Sequence, residues 1–236
     1  TRITDDLLWL VYVTAEYVLK TGDQAILNEE LPFLEGPELE ENEHERYGLY
    51  QVSEEKASLL EHCRRALAHA DTLGPHGLPL IGSGDWNDGM NRVGIEGQGE
   101  SVWLAWFLYE NHHRFAFLCE QVDDKENAEE HRQRADQTKE VINQTAWDDD
   151  WFLRAYYDDG TPLGSHRNEE CKIDSLPQSW AVLTNGTSQE RQKSAIDSVR
   201  EQLVWPEQRL IKLFMPPFDK TEKEQASLLP SALGPL

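Results

Sequence analysis

The sequence predicts a mainly α chain with one small β excursion. Three observations carry that prediction. Apolar residues recur at helical spacing in several long stretches. Trp151 to Tyr157, followed by Asp158-Asp159-Gly160, has the residue types of a strand entering a tight turn. The 8 Trp, 7 Tyr and 7 Phe are enough large rings to fill a core, which separates this acidic chain from a disordered tail.

The elements follow in order. Asp5 to Lys20 reads as a helix that is apolar nearly all round, through Leu7, Leu8, Leu10, Val11, Ala15, Tyr17 and Val18. Burial on most faces is expected of it, with Gly22 as terminator. Residues 23–52 read as a long acidic connection, broken by Pro32, Gly36 and Pro37 and carrying a solvated charge run from Glu38 to Glu45. Ser53 is the expected cap of a second helix, with Glu54 and Glu55 in its first turn and Leu59, Leu60, Cys63, Leu67 and Ala70 on its apolar face. Gly74-Pro75-His76-Gly77 is a turn, and Leu78–Ile81 enters a glycine-rich loop running from Gly82 to Gly99. A third helix is expected from Glu100 to Glu120 and a fourth, more polar one from Lys125 to Thr145. Pro177 suits the first turn of a fifth helix, capped by Ser175 and ending near Asn185-Gly186. Thr187-Ser-Gln-Glu190 reads as a capping box for a sixth helix that runs to Leu203. From Pro216-Pro217 onward the chain reads as irregular.

With 22 Lys+Arg against 44 Asp+Glu, the formal charge is −22 over 236 residues. Such a field repels phosphate backbones and argues against nucleic acid as a partner. No apolar run approaches the roughly 18 residues of a membrane span, so no membrane contact is expected from this segment. Cys63, Cys119 and Cys171 are odd in number and far apart. They fit neither a disulfide framework nor a metal site, and buried or free thiols in a reducing compartment are the expectation. Residue 1 is Thr and the methionines are Met90 and Met215, so the sequence reads as a piece of a longer protein.

The densest group of chemically useful residues is Gly82-Ser-Gly-Asp85-Trp86-Asn87-Asp88-Gly89-Met-Asn91-Arg92. Two carboxylates three residues apart stand beside an indole and two amides. A Trp face stacks on the apolar face of a pyranose, and amides and carboxylates bind hydroxyls in pairs. A carboxyl beside an indole and out of water has its pKa raised, as a general acid for a glycosidic oxygen requires. An ordinary Asx-rich surface turn has the same composition; a calcium loop would need a spaced Glu that is missing.

This loop, together with Gly99-Glu-Ser-Val-Trp-Leu-Ala-Trp-Phe-Leu108, resembles glycoside hydrolase family 94, formerly glycosyltransferase family 36. That family includes cellobiose and chitobiose phosphorylases and the C-terminal domain of cyclic β-1,2-glucan synthases. Asp5-Asp6-Leu-Leu-Trp9, Glu61-His-Cys-Arg64 with His76-Gly-Leu-Pro-Leu80, Asp158-Asp-Gly-Thr-Pro-Leu-Gly164, Ile173-Asp-Ser175 with Gln178-Ser-Trp180, and Pro216-Pro-Phe-Asp219 extend the resemblance along nearly the whole chain. Several of these are most similar to the cyclic-glucan-synthase branch.

The resemblance implies an (α/α)6 barrel, a toroid of six helix hairpins. Only about six helices are read here, so residues 1–219 are expected to be an incomplete catalytic domain of that kind and 220–236 an irregular tail. It implies inverting phosphorolysis of β-linked glucosides, with inorganic phosphate as co-substrate and no cofactor or metal. Asp88 would be the general acid. Asp85, Trp86 and Asn87 would shape the donor-sugar subsite, Asp5 or Asp6 would contact donor hydroxyls, and Gln178 would be a further sugar contact. The implied partners are a β-glucan oligosaccharide, phosphate and the rest of a larger parent protein, with a homodimer open to it. The implied location is the cytoplasm, with tethering to the inner membrane through the parent. The family's phosphate-binding groups are expected outside this sequence. An inverting hydrolase on the same barrel, or a non-catalytic sugar-binding segment, would share many of these residues.

The remaining candidates read as structural first. His112-His113 is expected to be a surface pair, Trp103 and Trp106 core, and Glu100 a helix cap. Arg154, Tyr156 and Tyr157 suit either strand packing or the edge of a sugar cleft. Arg92 is available to pair with Asp85 or Asp88 and hold the loop, or to bind phosphate.

Overall fold

Start and stop signals place most of the helices, and long-range pairing corrects the rest. The computed structural model describes residues 2–40 and 43–220. The chain divides into two compact units: residues 1–72 with 107–138, and residues 73–106 with the chain from Lys139 onward. The architecture is mainly α, with short two- and three-stranded antiparallel ladders.

In the first unit, helix α1 (Asp5–Thr21) begins with two carboxylates at the positive end of its dipole and ends at Gly22, whose N–H reaches Val18 O at 2.8 Å from a left-handed φ of 72°. Burial on most faces is not what it shows. Leu8, Val11, Thr14, Ala15 and Val18 form one buried stripe, while Leu10, Val13, Tyr17 and Leu19 are exposed. The acidic connection is also not all loop. Strand β1 (Glu30–Glu35) pairs antiparallel with β2 (Gln51–Ser58), and Pro32 sits where the register shifts, the kind of irregularity that tolerates a missing donor. Residues 41 and 42 of the charge run lie outside the described residues.

That pairing moves the next helix boundary. Ser53 lies within β2, donating to Glu35 across the ladder, and helix α2 (Leu59–Ala70) is capped by Ser58, which accepts from Glu61 N at 3.2 Å. The part of α3 (Val102–Gln121) in this unit packs Phe107 against Trp9 and Tyr12 at ring distances of 4.6 and 5.7 Å. Of the expected surface pair, only His113 is exposed. His112 is buried, 3.0 Å from His131 Nδ1 on α4 (Lys125–Thr145) and 3.6 Å from Asp71 Oδ2. Adjacent helix positions point to different faces, and here one of the two faces is core.

In the second unit the expected start of the third helix is a strand instead. Strand β3 (Glu100–Ser101) precedes α3, whose Trp103 and Trp106 are buried as expected. The Trp151–Tyr157 stretch is broken. Strands β4 (Trp147–Asp148) and β5 (Trp151–Phe152) pair with each other, while β6 (Ala155–Tyr156) runs between β3 and β7 (Pro162–Leu163). Strand β8 (Ile173–Asp174) leads into α5 (Ser175–Leu183); the cap is Asp174, which accepts from Leu176 N at 2.8 Å, and not Ser175. Helix α6 (Gln189–Gln202) is capped by Ser188, one residue later than the expected box, while Thr187 donates to Asn143 Oδ1 at 2.5 Å. Strand β9 (Val204–Trp205) pairs with β10 (Leu210–Ile211), and β11 (Phe214–Met215) with β8. Ile81, Met90, Val93, Ala155, Leu163, Cys171 and Phe218 form an apolar core beneath the glycine-rich loop. All three cysteines are buried and stand outside any disulfide. Of the expected tail 220–236, all but Lys220 lies outside the described residues.

Candidate active site

Loop 82–99 is fastened at both ends before it presents any side chain. Ile81 donates its N–H to Gly99 O at 2.9 Å. The two glycine backbones meet so closely that a Cβ on Gly99 would lie 2.3 Å from Val93 O and 2.5 Å from Gly94 Cα. Asp158, in the turn after β6, accepts the backbone N–H groups of Glu96, Gln98 and Gly99 at 2.8–2.9 Å and returns its own N–H to Val93 O at 3.0 Å.

Asp85 anchors the middle. It is fully buried. Its Oδ1 accepts from Arg154 Nη2 at 2.6 Å and from Asn87 N at 3.0 Å, and its Oδ2 accepts from Ser101 Oγ at 2.7 Å. Arg154 Nη1 donates to the same Ser101 Oγ at 3.1 Å. Arg154 Nε lies 3.3 Å from Asp174 Oδ2, close enough for ion pairing but not aligned as a hydrogen bond. Arg154 is itself fully buried. Its backbone runs so close to Gly164 that a Cβ there would stand 2.4 Å from Arg154 N. Burial opposes the guanidinium charge, but the Asp85 and Asp174 carboxylates outweigh burial and hold it above its usual pKa. Burial pushes the Asp174 carboxyl up to about 6, against the pull of Arg154.

From this base the loop alternates. Asn87 caps a short 3-10 turn (Asp88–Met90), accepting from Gly89 N at 3.0 Å, and Met90 drops into the apolar core. Between the buried anchors Asp85 and Met90, Trp86 is 52% exposed and Asp88 is exposed. An indole face and a carboxyl are thus held outward on a base that has little freedom to relax. Asp88 is exposed, where the sequence suggests a carboxyl shielded from water.

The other expected residues fall differently. Gln178 is fully buried and commits its amide to backbone: Oε1 accepts from Phe152 N at 2.8 Å, and Nε2 donates to Phe152 O and Asp174 O at 2.7 and 3.0 Å. It positions β5 against the start of α5. Asp5 and Asp6 lie in the first unit; Asp5 is buried with Oδ2 accepting from Trp9 Nε1 at 3.0 Å, and Asp6 is exposed. Glu100 is no helix cap. Buried in β3, it accepts from His76 N and Leu78 N at 3.0 Å and pairs with His76 Nδ1 at 2.5 Å, so it ties down the turn at 74–78. It is Arg154, not Arg92, whose guanidinium meets Asp85. One signal for this was present in the sequence. Arg154 is the single charge in Trp151-Phe-Leu-Arg-Ala-Tyr156, and a charge carried into a core by its neighbours requires buried partners. Among the described residues, no group of three or more His, Cys, Asp or Glu is placed to hold a metal ion, and no helix is long and apolar enough to cross a membrane.

Known proteins match this sequence. A profile of the glycosyl hydrolase 94 superfamily catalytic domain matches residues 1–231. The chain is 44% identical over 225 residues to the cyclic beta-(1,2)-glucan synthase NdvB of Rhizobium meliloti (strain 1021), covering 95% of this chain and 8% of that protein. It is 33% identical over 205 residues to a solabiose phosphorylase of Paenibacillus borealis, covering 86% and 24% of the two chains. A cellobionic acid phosphorylase of Neurospora crassa is 28% identical over 232 residues, 98% of this chain and 27% of its own. The chain thus spans only 8–27% of the length of these relatives. Among solved structures, a GH78 family rhamnosidase of Bacillus sp. GL1 aligns with a TM-score of 0.60 at 16% identity, over 85% of this chain and 17% of that one, a likeness of fold.

Proposed function

Because the chain belongs to the glycosyl hydrolase 94 superfamily, we propose that it is part of a glycoside phosphorylase domain built on an (α/α)6 toroid and acting on β-linked glucosides. β-1,2-Glucan chains are the substrate suggested by its similarity to a cyclic beta-(1,2)-glucan synthase. The carrying observation is the loop in which buried Asp85, locked to Arg154 and Ser101, holds Trp86 and Asp88 outward.

In this reading a glucosyl ring stacks on Trp86 and Asn87 serves its hydroxyls, while the exposed Asp6 is a candidate hydroxyl contact in its own unit. Asp85 acts as a positioning residue through the loop it anchors; buried Asp5 and Gln178 do the same in their own units. Asp88 donates a proton to the leaving glycosidic oxygen while a phosphate oxygen bonds to the anomeric carbon with inversion. The glycosidic bond breaks, glucose 1-phosphate leaves, and the shortened chain keeps the oxygen. Phosphate is already an anionic nucleophile, so no second carboxylate has to activate water. The bound sugar supplies the desolvation that exposed Asp88 does not have by itself. The remaining toroid and the phosphate-holding groups come from the parent protein.

The test is glucose 1-phosphate release from β-1,2-glucooligosaccharides with inorganic phosphate, run on this chain and on the longer protein, each with Asp88→Asn. Release by the longer protein that falls at least ~100-fold in the variant supports the reading. Phosphate-independent release of free glucose would instead make the domain an inverting hydrolase. Sugar binding without turnover by the longer protein would make it a binding segment.

A further inference from the structure

Four residues beyond Asp88, the same loop forms one wall of a cleft. Its volume is about 440 Å³, and it is lined by Arg92, Ile95 and Glu96 from the loop and by Tyr157, Asp158 and Asp159 from the turn after β6. That size falls within the roughly 300–1,000 Å³ typical of small-molecule sites. We propose that this cleft is an outlying sugar subsite, holding a glucose unit of a glucan chain that extends away from the bond being cleaved. The inference rests on the phosphorolysis reading above.

Three features point there. The first is rigidity. Asp158 spends its carboxylate on the N–H groups of Glu96, Gln98 and Gly99, and its own N–H reaches Val93 O, so the two walls are tied to each other. Tyr157 closes the turn by accepting from Gly160 N at 2.8 Å and packs against the apolar core that also holds Met90. A cleft formed in advance does not have to be ordered on binding. The second is lining chemistry. Ile95, 49% exposed, and the half-buried Tyr157 ring supply apolar surface for a pyranose face, while Arg92, Glu96 and Asp159 stand exposed at its edge as donors and acceptors for hydroxyls. The third is charge. Three carboxylates against one guanidinium, on a chain of formal charge −22, disfavour an anionic occupant and suit a neutral polyhydroxylated one. Continuity with the Asp88 loop makes one chain bound at both places the natural occupant.

The experiment uses the longer protein that carries this chain and compares the β-1,2-linked glucose disaccharide with the pentasaccharide. In Arg92→Ala/Ile95→Ala, the ratio of kcat/KM for the pentasaccharide to that for the disaccharide should fall roughly three- to tenfold, the loss of one or two hydroxyl contacts and a ring contact. The ratio is insensitive to a misfolded fraction, which lowers both values together. An unchanged ratio overturns the proposal. A second arm measures binding of both sugars by calorimetry in the Asp88→Asn background. The pentasaccharide should bind more tightly than the disaccharide, and the double substitution should remove that advantage; equal affinity for the two sugars before substitution, or an advantage that survives it, refutes the subsite. If the unsubstituted protein releases no glucose 1-phosphate, the phosphorolysis reading falls and the calorimetric arm alone decides the cleft.

Discussion

Replacing Arg154 with methionine should be among the most damaging single changes in the second unit. Methionine keeps much of the volume but removes the charge. Asp85 would lose the 2.6 Å contact to Nη2, Ser101 Oγ the 3.1 Å donor from Nη1, and Asp174 the guanidinium 3.3 Å away. Arg154, Asp85 and Asp174 are all at most 1% exposed, so water cannot replace what is lost. Breaking a buried pair from one side costs about 3–5 kcal/mol. At roughly 2–4 °C per kcal/mol for a chain of this size, the melting temperature should fall by about 6–20 °C. Urea unfolding followed by tryptophan emission measures the loss, and Asp85→Asn/Arg154→Met tests its cause. If uncompensated charge is the reason, the double variant should be more stable than the sum of the single losses predicts, by about 2 kcal/mol. pH gives a second check. The native Asp174 carboxyl is already pushed up to about 6 by burial, so between its usual value of 3.8 and 6 the folded state holds a proton that the unfolded state has released. Its contribution therefore becomes less favourable as pH rises through that window. Without Arg154 the carboxyl rises further, so the deficit of Arg154→Met should be smaller at pH 5 than at pH 8. A loss below 1 kcal/mol, or strict additivity, would refute the reasoning.

Trp86→Ala should leave stability within about 0.5 kcal/mol, because the ring is 52% exposed, yet weaken oligosaccharide binding roughly three- to tenfold; calorimetry and urea unfolding separate the two, and a large stability loss would make Trp86 a packing residue. Glu100→Gln should cost about 1–3 kcal/mol and speed hydrogen exchange at His76 and Leu78, whose N–H groups the carboxylate now accepts. His112 is pushed down to about 3, by burial first and then by His131, Arg134 and His113, from an ordinary 6.5. The unfolded state therefore binds the proton first, and this contribution to stability, complete above pH 6.5, is lost progressively as pH falls toward 3. The urea midpoint should drop across that range, and His112→Gln should flatten the slope; an unchanged slope would show that His112 is not the group responsible.

Much of the helical content was legible because it depends on local spacing. The apolar positions of α2, from Leu59 to Ala70, and the αL stop at Gly22 are properties of a few adjacent residues. Boundaries failed where a distant partner intervened. Ser53 and Ser58 are both plausible caps, and β1, whose Glu35 lies 18 residues before Ser53, draws Ser53 into a ladder and leaves Ser58 to the helix, where Ser58-Leu-Leu-Glu61 also has capping-box spacing. Glu100 reads as a helix start until Tyr156 pairs with it as a strand.

By itself the sequence determined the loop, its carboxylate–indole–amide composition and the family it resembles, since these are facts of residue order. It could not say which of Asp85 and Asp88 would be buried. Two aspartates three residues apart differ only in what the fold brings to them. Arg154, 69 residues away, and Ser101 close over Asp85 and remove it from water, while Asp88 stays exposed among the described residues. Burial of a charge is settled by its partner, and the partner's place is a property of the tertiary structure.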